Sequence, residues 1–448
     1  MTVQPGSSPA DAYEIRRFRA APATAPDFGV TEQWIRAVNY GFYEKAIGEE
    51  HLAKIAQAYL DDDRELTGAY ETLASGSPAF GHERPVATFG TLRETLNVGH
   101  GQLVQAHLVT AVTVRSDHRR RGLLRRLMGE DLARAKADGV AIAALTASEA
   151  SIYRRFGYGV ATRERRITVT TGPQFRLAVP TSGRVIAAEP SAMLDLAPKI
   201  FARAHRATPG SVDRQERYRL RAAGQWDHET GGTDAALRVA VHLDDDGTAD
   251  GYAAYSFRGW DHEPATVSIR DLVAATPEAY LGLWDYLGSL DLIRSVEWDE
   301  APVEDPLAWA LVDPRAIRLG VDTDMLWLRI LDVEAALGAR HFAHDGELVL
   351  RVEDPLGFTT GTYRLAVSAG RSHIERLADD DTTPGDLALD IAELSSVYVG
   401  GVSPVTLAEA GRIRAGRSGG SARLVTEASL TFARMFAVER PAHCSTHF

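Results

Sequence analysis

Between Val112 and Leu127 a β-branched run gives way to His118-Arg119-Arg120-Arg121-Gly122-Leu123-Leu124, a basic turn with a single glycine. Residues of these types can hold an oxyanion. Arginine forks make charge-assisted bonds to phosphate, and a glycine lets the backbone come close to a bulky anion. The flanks must present the turn. Upstream, Leu108 to Val114 is apolar and β-branched, the pattern of a buried strand. Downstream, Leu123, Leu124, Leu127, Met128, Leu132 and Ala135 recur at helical spacing until Asp138-Gly139 stops the helix. A helix start leaves backbone N–H groups without intrahelical partners and carries partial positive charge. Strand, turn and helix together therefore read as a phosphate site. The competing reading is a solvated basic turn ahead of an ordinary amphipathic helix.

A second buried strand, Val140 to Leu145, leads to a short helix around Glu149 to Arg155 and the cluster Phe156-Gly157-Tyr158-Gly159. On these residues the chain resembles the GNAT superfamily of N-acetyltransferases. Arg119 to Leu124 fills that family's Arg-x-x-Gly-x-Gly/Ala turn, with Leu124 where a small residue is usual, and Tyr153 to Tyr158 fills its Tyr-x-x-x-Gly-Phe/Tyr signature. His118 to Leu124, Ala147-Ser148-Glu149 and Ile152 to Gly159 are similar, more narrowly, to the Eis (enhanced intracellular survival) acetyltransferases, multi-acetylating enzymes with a three-part chain. The resemblance runs from about Val30 to the last residue.

What the resemblance implies is direct acetyl transfer from acetyl-CoA to a small-molecule amine, an aminoglycoside or another polyamine or lysine-type acceptor. Backbone groups of Val112 and Val114 would bind the pantetheine where their strand splays from the next. Arg119, Arg120, Gly122, Leu123 and Leu124 would wrap the pyrophosphate, mainly through N–H groups, with Arg120 in direct side-chain contact. Tyr153 would be the general acid, since a phenol of pKa about 10 can protonate a departing thiolate. Ser148 and Ser151 could cap the short helix or contact the cofactor. The carboxylate of a C-terminal phenylalanine, in this chain Phe448, would accept the amine proton; a free α-carboxyl is ionised at neutral pH. Without the resemblance, Tyr153 reads as a core aromatic and Phe448 as a frayed terminus. His447 stands where the family leads one to expect an acidic residue. It weakens the field for polycationic amines, and it is an alternative base.

The whole chain narrows the class further. Its 448 residues suit about three domains, with 45% hydrophobic and 25% charged residues. A net charge of −12 opposes nucleic-acid binding and suits cationic substrates. The one cysteine, Cys444, excludes an internal disulfide and fits a reducing cytoplasm. No apolar run is long enough to span a membrane, and no secretory signal is expected. His443, Cys444 and His447 are read as an incidental cluster, so no metal is expected.

Taken in order, residues 1–10 are expected to be a disordered tail. Tyr13 to Phe18 reads as a first strand, Thr31 as the N-cap of a first helix, and Glu65 to Leu73, Pro85 to Leu92 and Gln102 to Val114 as strands. The expected fold class is α/β: tandem GNAT-type mixed sheets, the second copy degenerate, followed by a sterol carrier protein-like α+β domain. The boundaries are 1–162, 163–323 and 324–448. In the central part Gly251 to Phe257, Thr266 to Val273 and Pro277 to Leu290 repeat the strand–turn–helix order, but the turn at Ala274 to Ala279 has neither arginine nor glycine. Glu44 is a candidate lining residue for an amine pocket, while Trp34, Tyr40 and Phe42 read as the wall of that pocket or as core, with core preferred. By resemblance a homo-oligomer, a hexamer, is expected. Alternatives are a narrow protein lysine or N-terminal acetyltransferase, and a non-catalytic ligand carrier.

Overall fold

A computed structural model describes residues 12–72, 80–173, 175–227, 230–378, 383, 385–416 and 425–448. The expected tail at 1–10 lies outside these residues. The first sheet takes β1 (Tyr13–Arg19), β2 (Glu65–Glu71), β3 (Ala87–Asn97), β4 (Leu103–Val114), β5 (Ile142–Thr146) and β6 (Gly159–Val160). Helices α1 (Phe28–Gly41) and α2 (Glu49–Asp61) follow β1, α3 (Leu123–Ala137) links β4 to β5, and α4 (Ala150–Tyr153) precedes β6. Thr31 is not the N-cap of α1. The helix starts after Asp27, and Thr31 is buried with its Oγ1 accepting the Ala21 N–H at 2.9 Å.

The second sheet holds β7 (Arg163–Thr170), β8 (Arg184–Ala188), β9 (Arg238–Leu243), β10 (Ala249–Phe257), β11 (Thr266–Ala274), β12 (Ser295–Pro302) and β13 (Ile317–Asp324), in the order β13-β7-β12-β11-β10-β9-β8. Its helices are α5 (Met193–Ala207), α6 (Glu216–Ala222), α7 (Pro277–Gly288) and α8 (Leu307–Ala310). The next strand, β14 (Leu326–Ile330), returns to the first sheet and lies between β5 and β6, giving β1-β2-β3-β4-β5-β14-β6. The strand at the head of the last third thus completes the first sheet. Nothing local to Leu326–Ile330 announces this; the partner strand lies about 180 residues earlier, and only sheet register selects it.

The third sheet, β17-β16-β15-β18-β19, is formed by β15 (Gly346–Glu353), β16 (Gly361–Ser368), β17 (Arg371–Arg376), β18 (Leu387–Asp390) and β19 (Ile413–Ala415). It carries α9 (Val333–Ala339), α10 (Ile391–Val397), α11 (Pro404–Glu409) and α12 (Glu427–Met435). Two seven-stranded mixed sheets followed by a five-stranded sheet with its helices give the expected three-part architecture.

The two faces of β5 explain how these units meet. Ala143 and Leu145 pack with Leu127, Leu132 and Tyr153 on the α3 side. Ile142 and Ala144 pack with Leu328, Leu394 and Phe448 on the other side. Alternation along one strand thus sends its neighbours into two cores. An ion pair ties β14 to the third sheet: Arg329 donates two bonds to Asp354 at 2.6 and 2.8 Å, both side chains fully buried.

Candidate active site

The parallel strands β4 and β5 pair only over Ala106–Val109 and Ile142–Leu145, then part. A bulge accompanies the parting. The β3–β4 register slips between Thr88 and Gly90, and Ala111 takes a left-handed φ of +51°. Thr88 Oγ1 donates to the displaced Ala111 carbonyl at 2.8 Å. Beyond the bulge the Arg115 N–H reaches back to Val86 at 2.8 Å. Backbone groups alternate along a strand, so Val112 and Val114 turn theirs away from β3, toward the gap. Their side chains, with that of Leu124, pack on the α3-side core.

The basic turn at the end of β4 is fixed from beneath. Buried His118 contacts the Tyr13 hydroxyl through Nδ1 and Arg115 through Nε2, each at 2.7 Å. Arg115 grips Asp117 with two bonds, and Arg121 donates to the Tyr13 hydroxyl at 2.8 Å and to the Asp117 carbonyl at 3.0 Å. Burial holds His118 below the ordinary imidazole pKa, favouring its neutral form. Arg119 and Arg120 are different: both are exposed and, among the described residues, neither side chain has an ion-pair or hydrogen-bond partner. Gly122 begins α3 with φ +81°, which a side chain adopts only with strain, and the space a Cβ would enter is open. No side chain caps the helix, so its first-turn N–H groups have no side-chain acceptor, while Leu123 is buried.

Tyr153 closes α4 and is 6% exposed, with its ring edge-on to Tyr158. Burial, then the Glu149 charge, raises the pKa of its phenol. Among the described residues its hydroxyl has no hydrogen-bond partner. Ser148 is exposed ahead of α4. The capping reading of the two serines is not what the structure holds: the N-cap is Glu149 without a side-chain cap bond, and Ser151 instead approaches Glu149 Oε1 at 3.5 Å.

The C-terminus is not frayed. Phe448 is 8% exposed, and Thr146 Oγ1, at the end of β5, donates to its carboxylate oxygen at 3.2 Å. Thr146 shares its strand face with Ile142 and Ala144, so Phe448 packs on the face of β5 opposite to the one that holds Tyr153. Upstream, the tail is anchored along residues 209–218. The His443 N–H donates to Pro209 at 2.9 Å and Thr446 Oγ1 to Val212 at 2.8 Å. Tyr218 accepts the His447 N–H at 2.6 Å and donates to the His447 carbonyl at 3.2 Å, where Arg217 also donates. His447 Nε2 lies 3.4 Å from Glu164 and 3.7 Å from Glu300. The acidic residue missing at position 447 is thus replaced in space by two carboxylates from the second sheet.

On the Phe448 face of β3, in line with Leu92 and Leu96, stands Glu94. Among the described residues it has no hydrogen-bond or ion-pair partner. Burial, with the charges of Asp213 and Asp62, pushes its pKa up to about 7. Trp34 is core, its indole donating to Thr67 at 2.8 Å, but Tyr40 and Phe42 are exposed rather than core as expected. Tyr40 lies in the last turn of α1 and Phe42 is its C-cap. Glu44 is exposed and accepts from Asn39 at 2.9 Å. His443 and Cys444 turn to packing: burial lowers the His443 pKa to about 4 and raises the Cys444 thiol to about 11. Among the described residues no group of three His, Cys, Asp or Glu side chains is arranged to hold a metal.

Models of an acetyltransferase (GNAT) domain match residues 29–161 and 210–330, and a sterol carrier protein domain matches 333–445. An uncharacterised N-acetyltransferase of Streptomyces avermitilis is 35% identical over 409 residues, 87% of this chain and 91% of that one. N-acetyltransferase Eis of Mycobacterium tuberculosis is 35% identical over 319 residues, 68% of this chain and 73% of that one. The chain belongs to the Eis-like GNAT N-acetyltransferases. It is an enzyme that transfers an acetyl group to amines. The crystal structure of Eis1 from Mycobacterium abscessus, 27% identical, aligns with a TM-score of 0.76 over 97% of this chain and 100% of that one. A GCN5-related N-acetyltransferase from Anabaena variabilis, 20% identical with a TM-score of 0.73, shares the fold.

Several residues of this Eis-like site escaped sequence reasoning. Thr146 sits two positions before Ser148 at the mouth of a predicted strand, a place that could have drawn attention. Glu94 breaks an apolar alternation on β3, a weaker signal. Arg217, Tyr218, Glu164 and Glu300 carry none, because the tail they meet is more than a hundred residues away.

Proposed function

We propose that this Eis-like enzyme moves the acetyl group of acetyl-CoA directly to a cationic amine, with Tyr153 as general acid and the Phe448 carboxylate as base. The observation that carries the reading is the placement of the chain terminus: a carboxylate oxygen bonded to Thr146 where β4 and β5 part. The residues fit the donor. Val112 and Val114 supply backbone groups along the gap; the Gly122, Leu123 and Leu124 N–H groups and the free Arg119 and Arg120 surround open space suited to a pyrophosphate. Ser148 stands beside that path.

Bound acetyl-CoA supplies an activated thioester and a thiolate leaving group. The chain does the rest. Val112 and Val114 position the carbonyl and offer an N–H to polarise it. The Phe448 carboxylate draws in the ammonium and takes its proton; the Tyr153 phenol, kept protonated by burial, gives its proton to the sulfur. Glu164 and Glu300, beside His447, add negative charge on the acceptor side, which favours polyamine or aminoglycoside-type acceptors over a single peptide lysine.

Thiol release would be followed with acetyl-CoA against aminoglycosides, polyamines and lysine peptides, for wild type, Tyr153→Phe and a chain lacking Phe448. Turnover of several polyamines, lost in both variants, is expected. Turnover that survives removal of Phe448 would move the base to His447 or water.

A further inference from the structure

The second acetyltransferase-like unit keeps the parting of strands but has lost its anion cradle. Strands β11 and β12 pair in parallel only over Thr266–Ser268 and Ser295–Glu297, then diverge as β4 and β5 do. At the following helix one first-turn N–H is capped and another is absent. Thr276 caps α7 by accepting the Ala279 N–H at 3.1 Å, and Pro277 removes another donor.

What stands at this second parting is the chain's own C-terminus. Asp271, past the paired part of β11, holds Arg214 with two bonds at 2.7 and 2.8 Å, and Arg214 donates to Ser445 Oγ at 3.3 Å. Glu300, past the paired part of β12, faces the His447 imidazole at 3.7 Å. Tyr218, 7% exposed, closes on the His447 backbone from α6 with both a donated and an accepted bond. Tyr218, Asp271 and Glu300 also border one cavity of about 260 Å³ between α6 and the sheet.

We propose that the second unit is a dock for the C-terminal tail, with Tyr218, Arg214 and Glu300 as positioning residues for the Phe448 carboxylate. Beside the parting where a catalytic copy would hold its donor, this unit instead holds Ser445 through Arg214 and His447 through Glu300. This rests on the reading of Phe448 as base, but the dock can be tested without it. A terminal residue is ordered only if contacts offset its chain entropy, and a misplacement of about 1 Å can cost on the order of a hundredfold in rate.

Full-length wild type, Tyr218→Phe and Glu300→Gln are compared in two readouts: release of Phe448 by carboxypeptidase Y, and kcat with KM for acetyl-CoA. Tyr218→Phe keeps the ring but loses two hydrogen bonds, so release should quicken about tenfold. Its kcat should fall about tenfold or more with KM for acetyl-CoA unchanged. Glu300→Gln should move both readouts in the same direction by less. Wild-type release in both variants overturns the dock. Faster release with wild-type kcat overturns the positioning role. If a chain lacking Phe448 keeps wild-type activity, the base reading fails while the release rates still decide the dock.

Discussion

Thr146 Oγ1 donates to a carboxylate oxygen of Phe448 at 3.2 Å across a sequence separation of 302 residues. The bond joins the last side chain of β5 to the chain terminus, where β4 and β5 have parted. Replacing Thr146 with Val keeps the β-branched shape and removes the donor. We expect kcat to fall about tenfold, the scale of one hydrogen bond to a charged group. Thr146→Ser should restore most of it, and acetyl-CoA affinity should be unchanged by calorimetry.

The two free arginines and the engaged one should behave differently. Arg119→Ala and Arg120→Ala should each raise KM for acetyl-CoA about tenfold or more, the scale of a charge-assisted bond, with no change in thermal midpoint. Arg121→Ala removes the bond to Tyr13 that backs His118, so it should lower the midpoint as well as the affinity. Thermal unfolding beside steady-state kinetics separates the two classes.

Glu94 gives a pH dependence whose sign is set by its raised pKa, about 7. The folded state disfavours the ionised form, so stability present below the unfolded carboxyl pKa is lost as pH rises from about 4.5 toward 7. Partial solvent exposure limits the loss to on the order of 1–2 kcal/mol. Glu94→Gln should therefore gain on wild type through that window and hold the gain above it. Denaturant unfolding at pH 5 and pH 8 makes the comparison; equal gaps at both would contradict it.

Arg329 and Asp354, both fully buried, join the first sheet to the third. Asp354→Asn leaves a buried guanidinium without its counter-charge and should cost about 3–5 kcal/mol. Urea unfolding should show the whole loss in the midpoint. Unchanged stability would mean that water compensates Arg329.

Much of the catalytic unit was legible. The switch from a β-branched run to 3.6-residue spacing at Gly122 marked β4, the turn and α3, and Tyr153 stood in a recognisable aromatic–glycine setting. What was not legible depends on long-range partners. Arg119, Arg120 and Arg121 are identical as letters; only Tyr13, about a hundred residues earlier, makes Arg121 structural. Leu326 to Ile330 reads as an apolar strand of any sheet, and its place beside β5 follows from register alone. Phe448 reads as a frayed tail, and its burial comes from packing against Ile142, Ala144 and Leu394 while Arg217 and Tyr218 hold the neighbouring His447, none of which a local pattern links to it. Tyr40 and Phe42 read as core because aromatic residues usually are, yet at the C-terminal end of α1 both are exposed.

The measurement that tests the central claim most directly is the turnover of full-length enzyme whose C-terminal carboxylate has been converted to a primary amide by ligation. The change removes the charge and keeps the Phe448 ring and its packing. With acetyl-CoA binding intact, kcat should fall about a hundredfold or more, the usual contribution of a general base. An amidated enzyme that turns over polyamines at the wild-type rate would contradict it.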